Sequence, residues 1–235
     1  MTKRLLFFAY GTFCYVLFLG TFLYGLAFIG NFAVPRTLDG PATRPVIQAL
    51  AINLGLLGLF AVQHSVMARR WFKARWTRIV ATPIERSTYV LCSSLALLLL
   101  FWQWQPLGGE VWSVDSPFPH VTFFGLFMLG WMTVLATTFM INHVDLFGLR
   151  QVWFALHNRP YEPLAFKTPG LYTDVRHPLY LGWLLAFWMT PTMTVTHLLF
   201  AVATTASSCW RSAGRSRISF ASTAIPTSRI ANRCR

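Results

Sequence analysis

Residues 5–29 read LLFFAYGTFCYVLFLGTFLYGLAFI, and no Lys, Arg, Asp or Glu interrupts them. A helix through this stretch is apolar all round and long enough to cross a bilayer core, where about 20 residues are needed. Uncharged stretches of similar length recur at Val46–Met67, Ser87–Leu107, Val121–Ile141 and Pro178–Ala206. Hydrophobic residues make up 55% of the 235-residue chain and charged ones only 11%, against about 25% charged in a soluble domain. A soluble fold would have to bury five such helices in one small core. The sequence therefore predicts an all-α, polytopic membrane bundle of five transmembrane segments. Lys3 and Arg4 precede the first of them, as in a signal peptide. That segment is longer than a signal core and no small-residue cleavage site follows it, so it is expected to stay.

The fifth segment is interrupted by MTPTMTVTH, residues 189–197, with Pro191 near its middle. Proline breaks the helical ladder, and threonine hydroxyls can serve the freed carbonyls. The stretch is either one kinked crossing or a helical hairpin. A hairpin returns the basic end of the chain to the side of the other basic loops, and is favoured on that ground.

The net charge of +13 invites a nucleic-acid partner, but its placement does not support one. Loop 68–86 holds Arg69, Arg70, Lys73, Arg75, Arg78 and Arg86 against Glu85 alone, whereas loop 108–120 holds only Glu110 and Asp115. Strongly basic and weakly charged loops alternate, which is the positive-inside pattern. The N-terminus, loop 68–86 and loop 142–177 are thus expected in the cytoplasm, and loops 30–45 and 108–120 outside. The partners expected are membrane lipid and a small molecule, with no nucleic acid. Cys14, Cys92, Cys209 and Cys234 show no spacing for a disulfide framework or a zinc site.

Three regions stand out. QHSVMARRWFKARW, residues 63–76, interleaves aromatic and basic residues as an interfacial anchor does. Residues 142–177 form a polar connection too long and too aromatic for an idle loop, and are expected to fold partly against the membrane face. At its end, TPGLYTDVRHPLYLGW, residues 168–183, sets Arg176 and His177 just before Pro178. Proline suits the first position of a helix, whose free N–H groups and positive dipole end can hold a carboxylate. Tyr180 follows, and Gly182 leaves room for a flat ring or another helix. The plain alternative is an interfacial helix start with snorkelling cations. The six histidines show no spacing that sets two metal or haem ligands on one helical face, and no metal site is expected.

GLYTDVRHPLYLGW, residues 170–183, resembles the Gly-x-Tyr-x-x-x-Arg-His-Pro-x-Tyr-x-Gly signature of the isoprenylcysteine carboxyl methyltransferase and phospholipid methyltransferase superfamily. QHSVMAR (63–69), NHVDLFGLRQVW (142–153) and LLAFWMTPTMTVTHLLFA (184–201) resemble a narrower branch, the bacterial methanethiol S-methyltransferases. The resemblance runs from about residue 5 to 205. It implies a bacterial inner-membrane enzyme with its site on the cytoplasmic face, S-adenosylmethionine as cofactor and a small thiol as substrate. It implies cofactor contacts at Gly170, Tyr172, Arg176, His177, Pro178, Tyr180 and Gly182. His64, His143 and Arg150, at helix ends or in the facing loop, are candidates for the substrate side; none is singled out as the base. NnrU-like proteins share part of the signature, so a non-catalytic membrane assembly factor is the rival reading, as is a methyltransferase acting on another thiol, isoprenylcysteine or a lipid.

Residues 207–235 break the pattern. Six arginines, seven serines, two cysteines and no acid make up a segment without helical or strand periodicity. The family's end, with paired glutamates followed by arginine that complete the cofactor pocket, has no counterpart here. Residues 1–206 are expected to form the methyltransferase-like unit. The rest is expected to be an aberrant, disordered basic tail of the kind a frameshift produces, with impaired activity as the consequence.

Overall fold

The computed structural model describes residues 1–162 and 178–207. Four helices are long and apolar enough to cross a membrane: α1 (Thr2–Gly30), α2 (Val46–Met67), α4 (Glu85–Gln103, preceded by a 3-10 turn at Thr82–Ile84) and α5 (Pro117–Ile141). Between α2 and α4 lies α3 (Arg70–Trp76), where the guanidinium of Arg75 lies 5.5 Å from the Trp71 ring and Lys73 pairs with Glu85 at 3.6 Å. Two short helices, α6 (His143–Leu146) and α7 (Leu149–Leu156), follow α5, and α7 packs on α1. Val152 seals that joint: a side chain at Gly11 would come within 2.7 Å of its methyl. The long polar connection thus folds against the bundle where it is described.

Helix α1 packs on α4, α4 on α2, and α5 on α8 (Pro178–Trp188). Phe28, Leu38, Leu100, Phe101, Trp104, Phe127, Trp131 and Phe200 make the core. Phe13, Val16, Val62, Leu129 and Met132 lie exposed on helix surfaces, as lipid contact requires. Asparagine ends two of the spans in the left-handed region, Asn31 at φ 57° after α1 and Asn142 at φ 108° after α5. The side chain of Asn142 then accepts from the Asp145 N–H at 3.0 Å and caps α6, so one residue stops a helix and starts another.

The fifth segment is a folded-back pair, α8 and α9 (Val195–Ser207). The Trp188 indole donates to Thr205 Oγ1 at 3.1 Å. In one continuous helix those residues would stand about 25 Å apart, so the single-crossing alternative is excluded. The break carries β2 (Thr192–Thr194), which pairs antiparallel with β1 (Glu110–Ser113). These two strands were not expected in an all-α bundle, because their pairing joins segments some 80 residues apart. The backbone freed by Pro191 is served: Val114 N–H donates to Pro191 O at 3.1 Å, Val195 N–H to Gly109 O at 3.1 Å, and Thr190 Oγ1 to Thr192 O at 2.8 Å.

This end of the bundle is tied by Asp39. Its carboxylate accepts from Asn31 Nδ2 at 2.6 Å, from the Thr194 hydroxyl and from His197 Nδ1 at 3.4 Å. His197, fully buried, also donates from Nε2 to the Phe187 carbonyl at 3.0 Å.

Candidate functional site

Helices α5 and α8 run antiparallel at backbone distance. A side-chain carbon at Gly130 would lie 2.5 Å from Ala186 N, and one at Gly182 3.0 Å from Gly130 O and 2.9 Å from Val134 Cγ2. Of the two uses open to Gly182, the structure shows the helix contact, with α5 in the space beside its α-carbon. The register has a further consequence. Gly130 stands opposite Ala186 and Val134 opposite Gly182, so one turn further along Thr138 comes opposite Pro178. Pro178 is buried and Tyr180 half-buried. Gly170, Tyr172, Arg176 and His177 lie outside the described residues, but the chain enters α8 from this same end.

Thr138 belongs to a buried cluster. His143, 6% exposed, has Nδ1 2.9 Å from Thr138 Oγ1 and Nε2 2.9 Å from the Tyr15 hydroxyl. Its ring stacks on Phe139, with centroids 4.3 Å apart, and meets Phe147 edge-on at 4.7 Å. The Thr138 hydroxyl hydrogen is already committed to the Leu135 carbonyl at 2.7 Å. The threonine oxygen therefore accepts, Nδ1 carries the ring hydrogen, and the lone pair on Nε2 receives the Tyr15 hydroxyl. Burial lowers the His143 pKa from its ordinary value, which favours this neutral form.

Two residues on is Asp145. Its Oδ1 accepts from Tyr161 at 2.8 Å, Gln151 at 3.3 Å and Arg150 at 3.5 Å. Arg150 lies over Phe154 and Tyr161, 5.0 and 5.5 Å from the ring centroids. Burial, with Asp145 beside it, pushes the Tyr161 hydroxyl pKa up. Two buried oxygens near Asp145, Ser87 Oγ and Gln151 Oε1, have no hydrogen-bond partner among the described residues.

Of the three candidates for the substrate side, the structure brings His143 and Arg150 into one neighbourhood. His64 lies between α2 and α4, with Nδ1 2.9 Å from the Tyr89 hydroxyl, 3.4 Å from Ser93 Oγ, and its ring stacked on Phe60. Sequence reasoning missed Tyr15, Thr138, Asp145 and Tyr161. Asn142 and Asp145, three apart ahead of an apolar run, carry a cap signal that points to the second pair of short helices. Tyr15 and Thr138, within uniformly apolar spans, carry no signal. Neither of two cavities, one of about 520 Å³ beside Lys3, Arg4 and Arg159 and one of about 730 Å³ beside Arg36 and Trp102, is lined by a predicted site residue.

The chain is 57% identical over 196 residues to a methanethiol S-methyltransferase of Crocosphaera subtropica, covering 83% of this chain and 77% of the relative. It is 53% identical to one of Mycobacterium tuberculosis, over 86% of this chain and 83% of the relative. Methanethiol S-methyltransferase 1 of Bradyrhizobium diazoefficiens is 52% identical, over 84% of this chain and 70% of its own length. The chain belongs to the methanethiol S-methyltransferase family. No family model matches it, and neither does any solved structure. Within this family the fold is that of a multi-pass membrane protein, and the cluster around His143 and Asp145 lies at one end of its helices.

Proposed function

We propose that the chain methylates methanethiol to dimethyl sulfide, with S-adenosylmethionine as methyl donor, at the end of the bundle that holds Tyr15, His143 and the start of α8. The observation that carries this is the α5–α8 register. It sets Pro178, the first residue of α8, opposite Thr138 of the His143 cluster, which supports one site shared by the signature of the superfamily and the polar groups of this branch. The alternation of basic and weakly charged loops supports a cytoplasmic site in a bacterial inner membrane.

The residues present fit the donor's chemistry. A carboxylate needs a positive helix end and a guanidinium, and a sulfonium needs electron-rich ring faces. This end offers the N-terminus of α8, Arg150, and the rings of Tyr15, Phe139 and Phe147. Gly170, Tyr172, Arg176, His177, Pro178 and Tyr180 would hold the donor. When bound, it supplies a methyl group on a sulfonium that carries its own leaving group. The chain's part is to align the thiol and keep water out; Phe18, stacked on Phe147 at 3.9 Å, belongs to the apolar wall that does so. Residues 1–206 are the methyltransferase unit in this reading. Replacing 207–235 by a family-like end is expected to raise turnover.

The test is headspace dimethyl sulfide from cells expressing the chain and fed methanethiol, with S-adenosylmethionine binding to the purified protein. His177→Ala and Tyr180→Phe should weaken binding while insertion stays intact. Unchanged affinity in both would remove these residues from the cofactor site.

A further inference from the structure

The geometry points to a proton relay, Tyr15 Oη to His143 Nε2, that takes the thiol proton during methyl transfer. This rests on the methyltransferase reading and adds a catalytic residue, Tyr15, to it. An alkyl thiol, like the cysteine thiol with a pKa of about 8.5, is mostly protonated at neutral pH, while the thiolate is the nucleophile. A base is therefore useful, and the described residues offer few. Arg150 is a cation paired with Asp145, whose Oδ1 accepts three donors, and His64 lies between α2 and α4 against Tyr89 and Ser93.

His143 has a lone pair in the right tautomer but no route of its own to a substrate. It is 6% exposed, Nδ1–H is held by Thr138, and Nε2 is covered by the Tyr15 hydroxyl at 2.9 Å. Tyr15 is half-buried and is the outward member of the pair. Its oxygen donates its hydrogen inward and keeps lone pairs for a donor on its other side. The step balances as follows. The sulfur lone pair forms the new S–CH3 bond as the donor's S–CH3 bond breaks. The thiol proton passes to Tyr15 Oη, whose own hydrogen passes to His143 Nε2. The products are dimethyl sulfide, S-adenosylhomocysteine and an imidazolium at His143. In that state Nε2–H donates to Tyr15 and Nδ1–H still donates to Thr138, so no ring rotation is needed. The imidazolium then returns its proton through Tyr15 to solvent when the product leaves.

The experiment compares methanethiol with methaneselenol, which is ionised at neutral pH and needs no base, in the full chain and in Tyr15→Phe and His143→Gln. With methyl-labelled donor, each variant should lose about 10²-fold or more on methanethiol, recover as pH is raised, and lose under about tenfold on methaneselenol. Equal losses on both substrates in both variants would make the pair merely structural and overturn the relay, leaving the methyltransferase reading in place. No turnover of either substrate by the unsubstituted chain would remove that reading for this chain and the relay with it. Independently of activity, ¹⁵N spectra of labelled histidine should show His143 as the Nδ1–H tautomer, with Nε2 shifting in Tyr15→Phe. The opposite tautomer would overturn the relay.

Discussion

Two histidines are buried at opposite ends of this bundle, and their neighbours give them opposite characters. His143 lies between two hydroxyls. One oxygen must accept and the other can donate, so a neutral ring satisfies both. His197 lies between the Asp39 carboxylate and the Phe187 carbonyl, which can only accept. Nε2 must donate to the carbonyl, and Nδ1 faces the carboxylate. Burial alone would rank the two alike, at 6% and 0% exposure. The donor and acceptor inventory separates a ring with a usable lone pair from one that serves as a staple between two acceptors.

The comparison breaks most readily at the staple. Asp39→Asn removes the carboxylate that Asn31, Thr194 and His197 share, and each hydrogen bond to a charged group contributes about 1.5–3 kcal/mol. Thermal unfolding in detergent should show this large loss, while methyl transfer per folded molecule is unchanged. At the other end His143→Gln should do the reverse. Turnover of methanethiol should fall about 10²-fold, equivalent to roughly 2.7 kcal/mol in the barrier, with a smaller loss of stability than in Asp39→Asn. Thr138→Val removes the acceptor of Nδ1–H and should cost about 1–2 kcal/mol of stability. It should also blur the ¹⁵N tautomer signature, since nothing then fixes which nitrogen carries the hydrogen. The smallest effect is in pH. Because burial lowers the His143 pKa, the unfolded chain binds the proton more readily than the folded one. The contribution of this ring is intact above about pH 6.5 and is lost as pH falls from there through the lowered folded value. A melting series over that range should slope less steeply in His143→Gln; an unchanged slope would show that the acid sensitivity lies elsewhere.

Much of this architecture was legible because bilayer crossing is a one-dimensional property. Val46–Met67 is an uncharged run and also the residue range of α2, and α5 differs from its run only by the Pro117 start. The hairpin in the fifth segment was foreshadowed by Pro191 and the threonines around it. The ties between distant segments were not foreshadowed. Asp39 meets His197 across 158 positions and Tyr15 meets His143 across 128, and neither pair leaves a periodic trace. The string at 170–182 was found by its residues, whereas the place of Pro178 opposite Thr138 follows only from the glycines that let α5 and α8 touch.

The interruption at Pro191 also has a history written into its partners. Beyond the segment's own bonds, the groups described as holding it come from chain made earlier: Asp39 and Asn31 from the link after α1, the strand 110–113, and α5 beneath α8. Within the described residues, helices α8 and α9 span 11 and 13 positions, each fewer than the roughly 20 that insertion of a lone span requires. Their apolar faces and freed carbonyls would be poorly served by lipid alone. When this segment leaves the ribosome, however, the surfaces that receive it have already been synthesised. The order of the chain thus matches an order of biogenesis, in which the first four spans form a vestibule that templates the entry of the last pair.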